Sequence, residues 1–311
     1  MSLATVNPEF RDAFRHKFFP PIHIPAVLWL ARRLVRFQSP GTVDGTSVEN
    51  INIDGKPARI YRTEKPSSGA AVMIFHGGGL IGGAPELNDW WASWMALCLR
   101  AVVVSPSYSS ALDNPAPAAI DDCFNAWEWL HGSAKSLGID QDRTALAGVS
   151  AGGGLAACLS QRLRDENAPG PKALLMHYPM LDDRTCLRRD LDKHRHIMWN
   201  NQSNRVGWTH YLGQDLLGSD LVPHYTVAAR CEDLSGLPPT WLGVGDIDLF
   251  YDEGCAYAVR LQDAGVPCHL EVVPGAPHGF DYFAKDHSIV ERYQRNALFF
   301  VAKHLNVEAV C

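Results

Sequence analysis

Val27, Leu30, Ala31, Leu34 and Val35 recur at helical spacing and predict an amphipathic helix over residues 26–38. Apolar and polar positions then alternate over residues 48–53. Asp54-Gly55 is a tight-turn pair, and residues 58–62 read as the returning strand of a hairpin. Beyond residue 70 the alternation stops. Short apolar runs appear at residues 70–75, 101–105, 144–147, 173–176, 240–244 and 269–273. Unbroken runs of that length suit strands covered on both faces, as in a parallel sheet.

Helical stretches separate the runs, at residues 86–99, 116–131, 151–165, 252–264 and 290–304. Strand and helix in alternation predict a doubly wound α/β sheet opened by an antiparallel hairpin. Residues 182–235 break the rhythm with a long polar stretch carrying Trp199, Trp208 and Tyr211. This stretch is expected to leave the sheet and pack with the N-terminal helix as a lid. The chain divides accordingly into an N-terminal cap segment (1–45), a catalytic domain (46–181 and 236–311) and a cap excursion (182–235).

Composition narrows the function without naming it. The chain has 311 residues, 46% hydrophobic and 20% charged, which is globular and long enough to bury a large core. A net charge of -6 lacks the basic excess of a protein that collects phosphate contacts, so nucleic acid is not the expected partner. The eight cysteines form no C-x-x-C pair, and several sit in apolar runs, so they are expected to be buried free thiols of a reducing compartment. No metal is expected, because the cysteine spacing supports no zinc site and a mixed basic surface stretch accounts for His194 and His196. The first apolar run, residues 26–31, is too short to span a bilayer. The N-terminus has no secretory pattern, and the chain reads as soluble and cytoplasmic.

Candidate chemistry begins at Gly148-Val149-Ser150-Ala151-Gly152, between the strand at 144–147 and the helix at 151–165. This is G-x-S-x-G in the strand–turn–helix setting that gives the motif meaning. A sharp turn forces the serine into a strained conformation and exposes its hydroxyl at the carboxyl edge of the sheet. Glycines two residues either side let neighbouring backbone approach. The Ala151 amide then points from the helix N-terminus toward a developing anion.

His76-Gly77-Gly78-Gly79 follows the strand at 70–75, and consecutive glycines leave backbone N–H groups free to converge on an oxyanion. Gly77, Gly79 and Gly82 also satisfy the dinucleotide fingerprint G-x-G-x-x-G. That motif requires a helix opening in the loop and an acid after the next strand. Here Pro85 delays any helix, and Pro106-Ser107 stands where the acid should be. His76, ahead of the nucleophile in a glycine turn, is expected to hold the loop by hydrogen bonding.

A serine on such an elbow takes its partners in the order Ser, acid, His. The strand at 240–244 is followed by Asp246 and Asp248, and that at 269–273 by a Pro/Gly-rich loop carrying His278. Asp246 and Asp248 both fit the acid. Asp252 and Glu253 fall inside the next helix's first turn and suit a capping role better.

Together these motifs resemble the hormone-sensitive-lipase-like branch of the α/β-hydrolases, the bacterial family IV esterases. The resemblance rests on His76–Gly79, Gly148–Gly153, the run Asp248-Leu249-Phe250-Tyr251-Asp252-Glu253-Gly254 and His278-Gly279-Phe280. Trp208, Tyr211-Leu212-Gly213 and Leu237-Pro238-Pro239-Thr240 add to it, over roughly residues 70–305. It implies an α/β-hydrolase fold, a mostly parallel central sheet flanked by helices, with a helical cap. Matched position by position, it implies Ser150 as nucleophile, Asp248 as acid and His278 as base. The oxyanion donors it implies are the N–H groups of Gly77, Gly78 and Ala151.

The activity implied is carboxylesterase action on a small-molecule ester, with no metal or organic cofactor. The same triad can serve amides. Relatives of the fold that act as ligand receptors would show a missing triad member, and here all three positions are filled. Members often dimerise through the last sheet edge. One departure is local: the family usually carries a Tyr-Arg-Leu-Ala-Pro-Glu-like run where this chain has Tyr108-Ser109-Ser110-Ala111-Leu112-Asp113. Trp29, Phe37, Trp199, Trp208 and Phe280 are candidates to line an apolar pocket, and a cap favours short or medium acyl chains.

Overall fold

Asp54 and Gly55 both adopt positive φ, 48° and 83°, and the turn they make joins β1 (Thr46–Ile53) to β2 (Lys56–Thr63) as an antiparallel hairpin. The computed structural model describes residues 3–17, 19–65, 67–194 and 196–311. Met1, Ser2 and Phe18 of the expected cap segment, and Arg195 of the expected basic stretch, lie outside the described residues. The expected apolar runs become β3 (Ala71–Phe75), β4 (Val102–Pro106), β5 (Thr144–Val149), β6 (Leu174–His177), β7 (Thr240–Gly245) and β8 (Cys268–Val273). They form one eight-stranded sheet in the order β1-β2-β4-β3-β5-β6-β7-β8, with β2 antiparallel to β4 and every later pairing parallel. This is the α/β-hydrolase architecture.

The helices are α1 (Asp12–Arg15), α2 (Pro25–Leu34), α3 (Asp89–Leu99), α4 (Ala118–Gly132), α5 (Ala134–Leu137), α6 (Ala151–Asp165), α7 (Asn201–Leu212), α8 (Tyr251–Asp263), α9 (Phe280–Phe283) and α10 (Ser288–Leu305). All residues of β3, β4 and β6 are buried, so the sheet needs cover on both faces. One group is α3 with α10, packed on each other and on the sheet. The other is α4 on α6, with α6 against β3, β5 and β6.

Residues 182–235 lie between β6 and β7 and are more ordered than their polar sequence suggests. Asn200 caps α7 by accepting from the Ser203 N–H at 3.0 Å, and Trp208 and Tyr211 are buried. Glu253, expected to serve its own helix start, is buried. It accepts hydrogen bonds from the Leu181 N–H at 2.6 Å and the Asp182 N–H at 3.3 Å, and one from the Thr185 hydroxyl. The carboxylate thus pins the start of the excursion to α8.

The N-terminal segment reaches across to the carboxyl end of the chain. The Asn7 N–H donates to the Gly275 carbonyl at 2.9 Å. Phe10 packs on Phe280, and Phe14 and Phe19 meet Phe283 with ring centroids 5.7 and 5.3 Å apart.

One expectation is overturned. Cys98, at the end of α3, and Cys311 form a disulfide with Cα atoms 5.3 Å apart, so the eight cysteines are not all free thiols. The sequence misleads here because Cys98 sits in an apolar helix and its partner lies 213 residues away. Cys123, Cys158 and Cys186 are buried free thiols, and Cys231, Cys255 and Cys268 are free and half-buried. Among the described residues, no helix is long and apolar enough to cross a membrane.

Candidate active site

Ser150 sits between β5 and α6 with φ 56° and ψ -119°, a left-handed conformation that a residue with a side chain adopts only under constraint. The constraint is close packing. A Cβ on Gly148 would overlap the Gly152 backbone, and one on Gly152 would overlap the Phe75 carbonyl at the end of β3. Helix and strand therefore approach as they do only with glycine at both positions. The backbone is pinned further by the Ser150 N–H donating to the His177 carbonyl at 2.9 Å, and by the Ser150 carbonyl accepting from Met180 at 3.0 Å.

His278 follows β8 in the loop ahead of α9, and Asp248 follows β7. The Ser150 Oγ lies 2.9 Å from His278 Nε2, and His278 Nδ1 lies 2.8 Å from Asp248 Oδ2. With Nδ1–H donating to the carboxylate, Nε2 is left to accept from the serine hydroxyl. All three side chains are buried, and the other Asp248 oxygen accepts from the Phe250 N–H at 2.9 Å. Asp246 points elsewhere: its carboxylate accepts from the Gly275 N–H at 2.6 Å, bracing the histidine loop.

Gly77 and Gly78 line the same cavity as Ser150, and a Cβ built on Gly77 would lie 3.4 Å from the Ser150 Cβ. Ala151 is the first residue of α6, where N–H groups have no acceptor within the helix. His76 is not within this chain of bonds. Its Nδ1–H donates to the Gly77 carbonyl at 2.8 Å, its ring stacks on Tyr108 at 4.2 Å, and burial pushes it down to about 4, so it is neutral. Tyr108, where the sequence leaves the family pattern, also donates to the His76 carbonyl at 2.7 Å and so helps hold the glycine loop.

The serine opens on a cavity of about 610 Å³. Phe19, Ile22, Leu28 and Val35 line it from the N-terminal segment, Met198 and Trp199 from residues 182–235, and Trp90 and Trp91 from α3. Of the five aromatic residues expected at a pocket, only Trp199 is there. Trp29 and Phe37 are exposed, while Trp208 and Phe280 are buried in the core. Helical periodicity identified α2 but not which of its faces meets the cavity.

Some residues around the site escaped sequence reasoning. Tyr178, directly after β6, has φ 38°, and its hydroxyl donates to Asp281 Oδ1 at 2.6 Å. Burial pushes the Asp281 carboxyl up to about 6. His177 meets the Tyr293 hydroxyl at 3.0 Å, and burial lowers it to about 3. The signal available was topological: Tyr178 ends a parallel strand at the carboxyl edge, where sites of open α/β sheets form.

Residues 72–282 match a family model described as alpha/beta hydrolase fold. The carboxylesterase NlhH of Mycobacterium tuberculosis is 34% identical over 241 residues, covering 73% of this chain and 72% of that protein. An ethyl acetate hydrolase of Pseudomonas putida is 30% identical over 228 residues, covering 72% and 71%. Among solved structures, a bacterial heroin esterase superposes with a TM-score of 0.88 at 29% identity, covering 98% of this chain and 99% of that one. The chain belongs to the α/β-hydrolase family, in its hormone-sensitive-lipase-like branch.

Proposed function

We propose that this chain is a serine carboxylesterase that cleaves short- to medium-chain acyl esters through an acyl-enzyme. The observation that carries the reading is the unbroken hydrogen-bond chain Ser150–His278–Asp248 at the wall of an apolar cavity. The names of the relatives agree with it.

Ser150 is the nucleophile. His278 Nε2 takes its proton as Oγ attacks the ester carbonyl, and Asp248 orients the imidazole and stabilises its cationic form. The N–H groups of Gly77, Gly78 and Ala151 receive the oxyanion, and one such donor contributes on the order of 3 kcal/mol. His278 then protonates the leaving alcohol and, in the second step, draws a proton from the water that frees the acid.

Residues 1–45 and 182–235 act as the cap, and the N-terminal and excursion residues lining the cavity support that division. A cavity of about 610 Å³ falls in the range that encloses small molecules and suits a modest acyl chain. The protein is proposed to pair as a homodimer through the β8 edge, which sedimentation will test. A cytoplasmic location is supported by six free cysteines and opposed by the single bridge.

The deciding experiment is Ser150→Ala assayed on a chromogenic butyrate ester beside a matched amide, with fluorophosphonate labelling of both proteins. Loss of turnover and of label in a folded variant is expected. Turnover retained by the variant, or amide cleaved as fast as ester by the wild type, would sink the reading.

A further inference from the structure

Among the polar and charged residues that line the cavity, two lie on the helices that follow His278. Tyr293 of α10 packs on Phe280 of α9 with ring centroids 4.8 Å apart, and the next residue of each helix, Gln294 and Asp281, lines the cavity. Gln294 is only 3% exposed, and its amide has no hydrogen-bond partner among the described residues. A buried amide is ordinarily satisfied, so one that opens into a cavity unpaired is an unused donor and acceptor. Asp281 also has capacity to spare. One oxygen accepts from Tyr178 at 2.6 Å, while the other stands 3.9 Å from His177 Nδ1, outside hydrogen-bond reach. The backbone N–H groups of residues 281 and 282 help hold its charge, which still leaves lone pairs free on a two-oxygen acceptor.

Charge decides which ligand group fits. Lys17 and Lys285 line the cavity and disfavour a cationic substrate, Arg32 being paired with Asp113, while Asp281, the one carboxylate among the described lining residues, disfavours an anion beside it. A neutral carbonyl accepts from Gln294 but gives nothing to Asp281. A hydroxyl does both, donating to the carboxylate and accepting from the amide. We propose that Gln294 and Asp281 form a polar subsite that takes a hydroxyl group carried by the ester, making hydroxylated esters the preferred substrates. The proposal rests on the esterase reading and sharpens it to a substrate class.

The test compares kcat/KM within matched pairs: ethyl hexanoate against its 3-hydroxy and 6-hydroxy forms, and butyl butyrate against 4-hydroxybutyl butyrate. The wild type and Gln294→Met are both assayed. Methionine is unbranched and flexible, so it fills the space without the amide. The wild type is expected to favour the hydroxylated member of at least one pair by about tenfold, the effect of one well-made hydrogen bond at the upper end of its range. That ratio should fall to about one in the methionine variant. A wild-type ratio of one or less in every pair overturns the subsite, as it would if a water held between the two groups served equally well. A preference that survives Gln294→Met overturns it too. Should the variant fail to fold, as read by thermal melting, the wild-type ratios alone decide. Failure of the wild type to turn over the parent esters would instead count against the esterase reading.

Discussion

The ring of Tyr178 meets the His278 imidazole edge-on with centroids 4.7 Å apart, while its hydroxyl donates to Asp281 at 2.6 Å. The proposed base is therefore held on one side by a carboxylate and on another by an aromatic ring that is itself tethered. Phe250 closes a further side, again edge-on, at 5.2 Å. Side chains locked by packing and hydrogen bonds keep a reacting group in its productive geometry.

Tyr178→Phe keeps that ring and removes the tether. The Asp281 carboxylate then loses a charge-assisted partner in a buried setting. The variant should lose about 1–3 kcal/mol of stability in urea unfolding, and kcat should fall by less than about tenfold, because the ring still confines His278. A larger kcat loss at unchanged stability would show that the hydroxyl acts on the reaction directly.

The two acids after β7 are separable by mutation. Asp248→Asn should lower kcat by a factor on the order of 10⁴ with KM little altered, because an amide there disfavours the tautomer the serine needs. Asp246→Asn removes the charge but keeps an oxygen that can accept from Gly275, and should leave kcat within about tenfold of wild type. Steady-state kinetics on one ester checks both, and the reverse ranking would reassign the acid.

Asp281 predicts a component of the pH dependence of stability. Burial raises its folded-state carboxyl to about 6, above the ordinary aspartate value of roughly 3.9. The folded chain then holds the proton more tightly than the unfolded chain does. This group's contribution is fully present below roughly pH 4 and disappears as pH rises through about 6. Urea unfolding at several pH values should show the wild type losing stability relative to Asp281→Asn across that window. His177, lowered by burial, contributes in the opposite sense.

The bridge can be counted chemically. Of eight cysteines, two are joined, so thiol titration of the denatured, unreduced protein should give six groups, not eight. Reduction, or Cys311→Ser, should lower stability by about 2–4 kcal/mol in thermal or urea melts. Eight free thiols would restore the reducing-compartment picture drawn from the spacing alone.

Much of the architecture was legible because it is periodic. Each apolar run after residue 70 became a strand within a residue or two, and the helix read over 151–165 has the bounds of α6. Turn chemistry at Asp54-Gly55, and the order of Ser150, Asp248 and His278 along the chain, needed no contact information. What stayed hidden depends on contacts between distant segments. Tyr178 and Asp281 are 103 residues apart, and no local pattern pairs them. Glu253 looked like a helix-start acid, yet its partners lie 68 to 72 residues earlier. The inward face of α2 could not be read either, because the exposed Trp29, Leu30 and Leu34 are as apolar as the lining Leu28 and Ala31.

The tie between Asn7 and the loop ahead of His278 has a consequence for how the protein is made. Residue 7 leaves the ribosome long before Gly275, its hydrogen-bond partner, and before Phe280 and Phe283, which its aromatic neighbours Phe10, Phe14 and Phe19 pack against. These rings lack the native surface formed by Phe280 and Phe283 until those residues have been translated. Until then this segment is open to chaperones and proteases. Its docking, among the last folding events, closes the cavity only on a chain whose His278 loop has already been made.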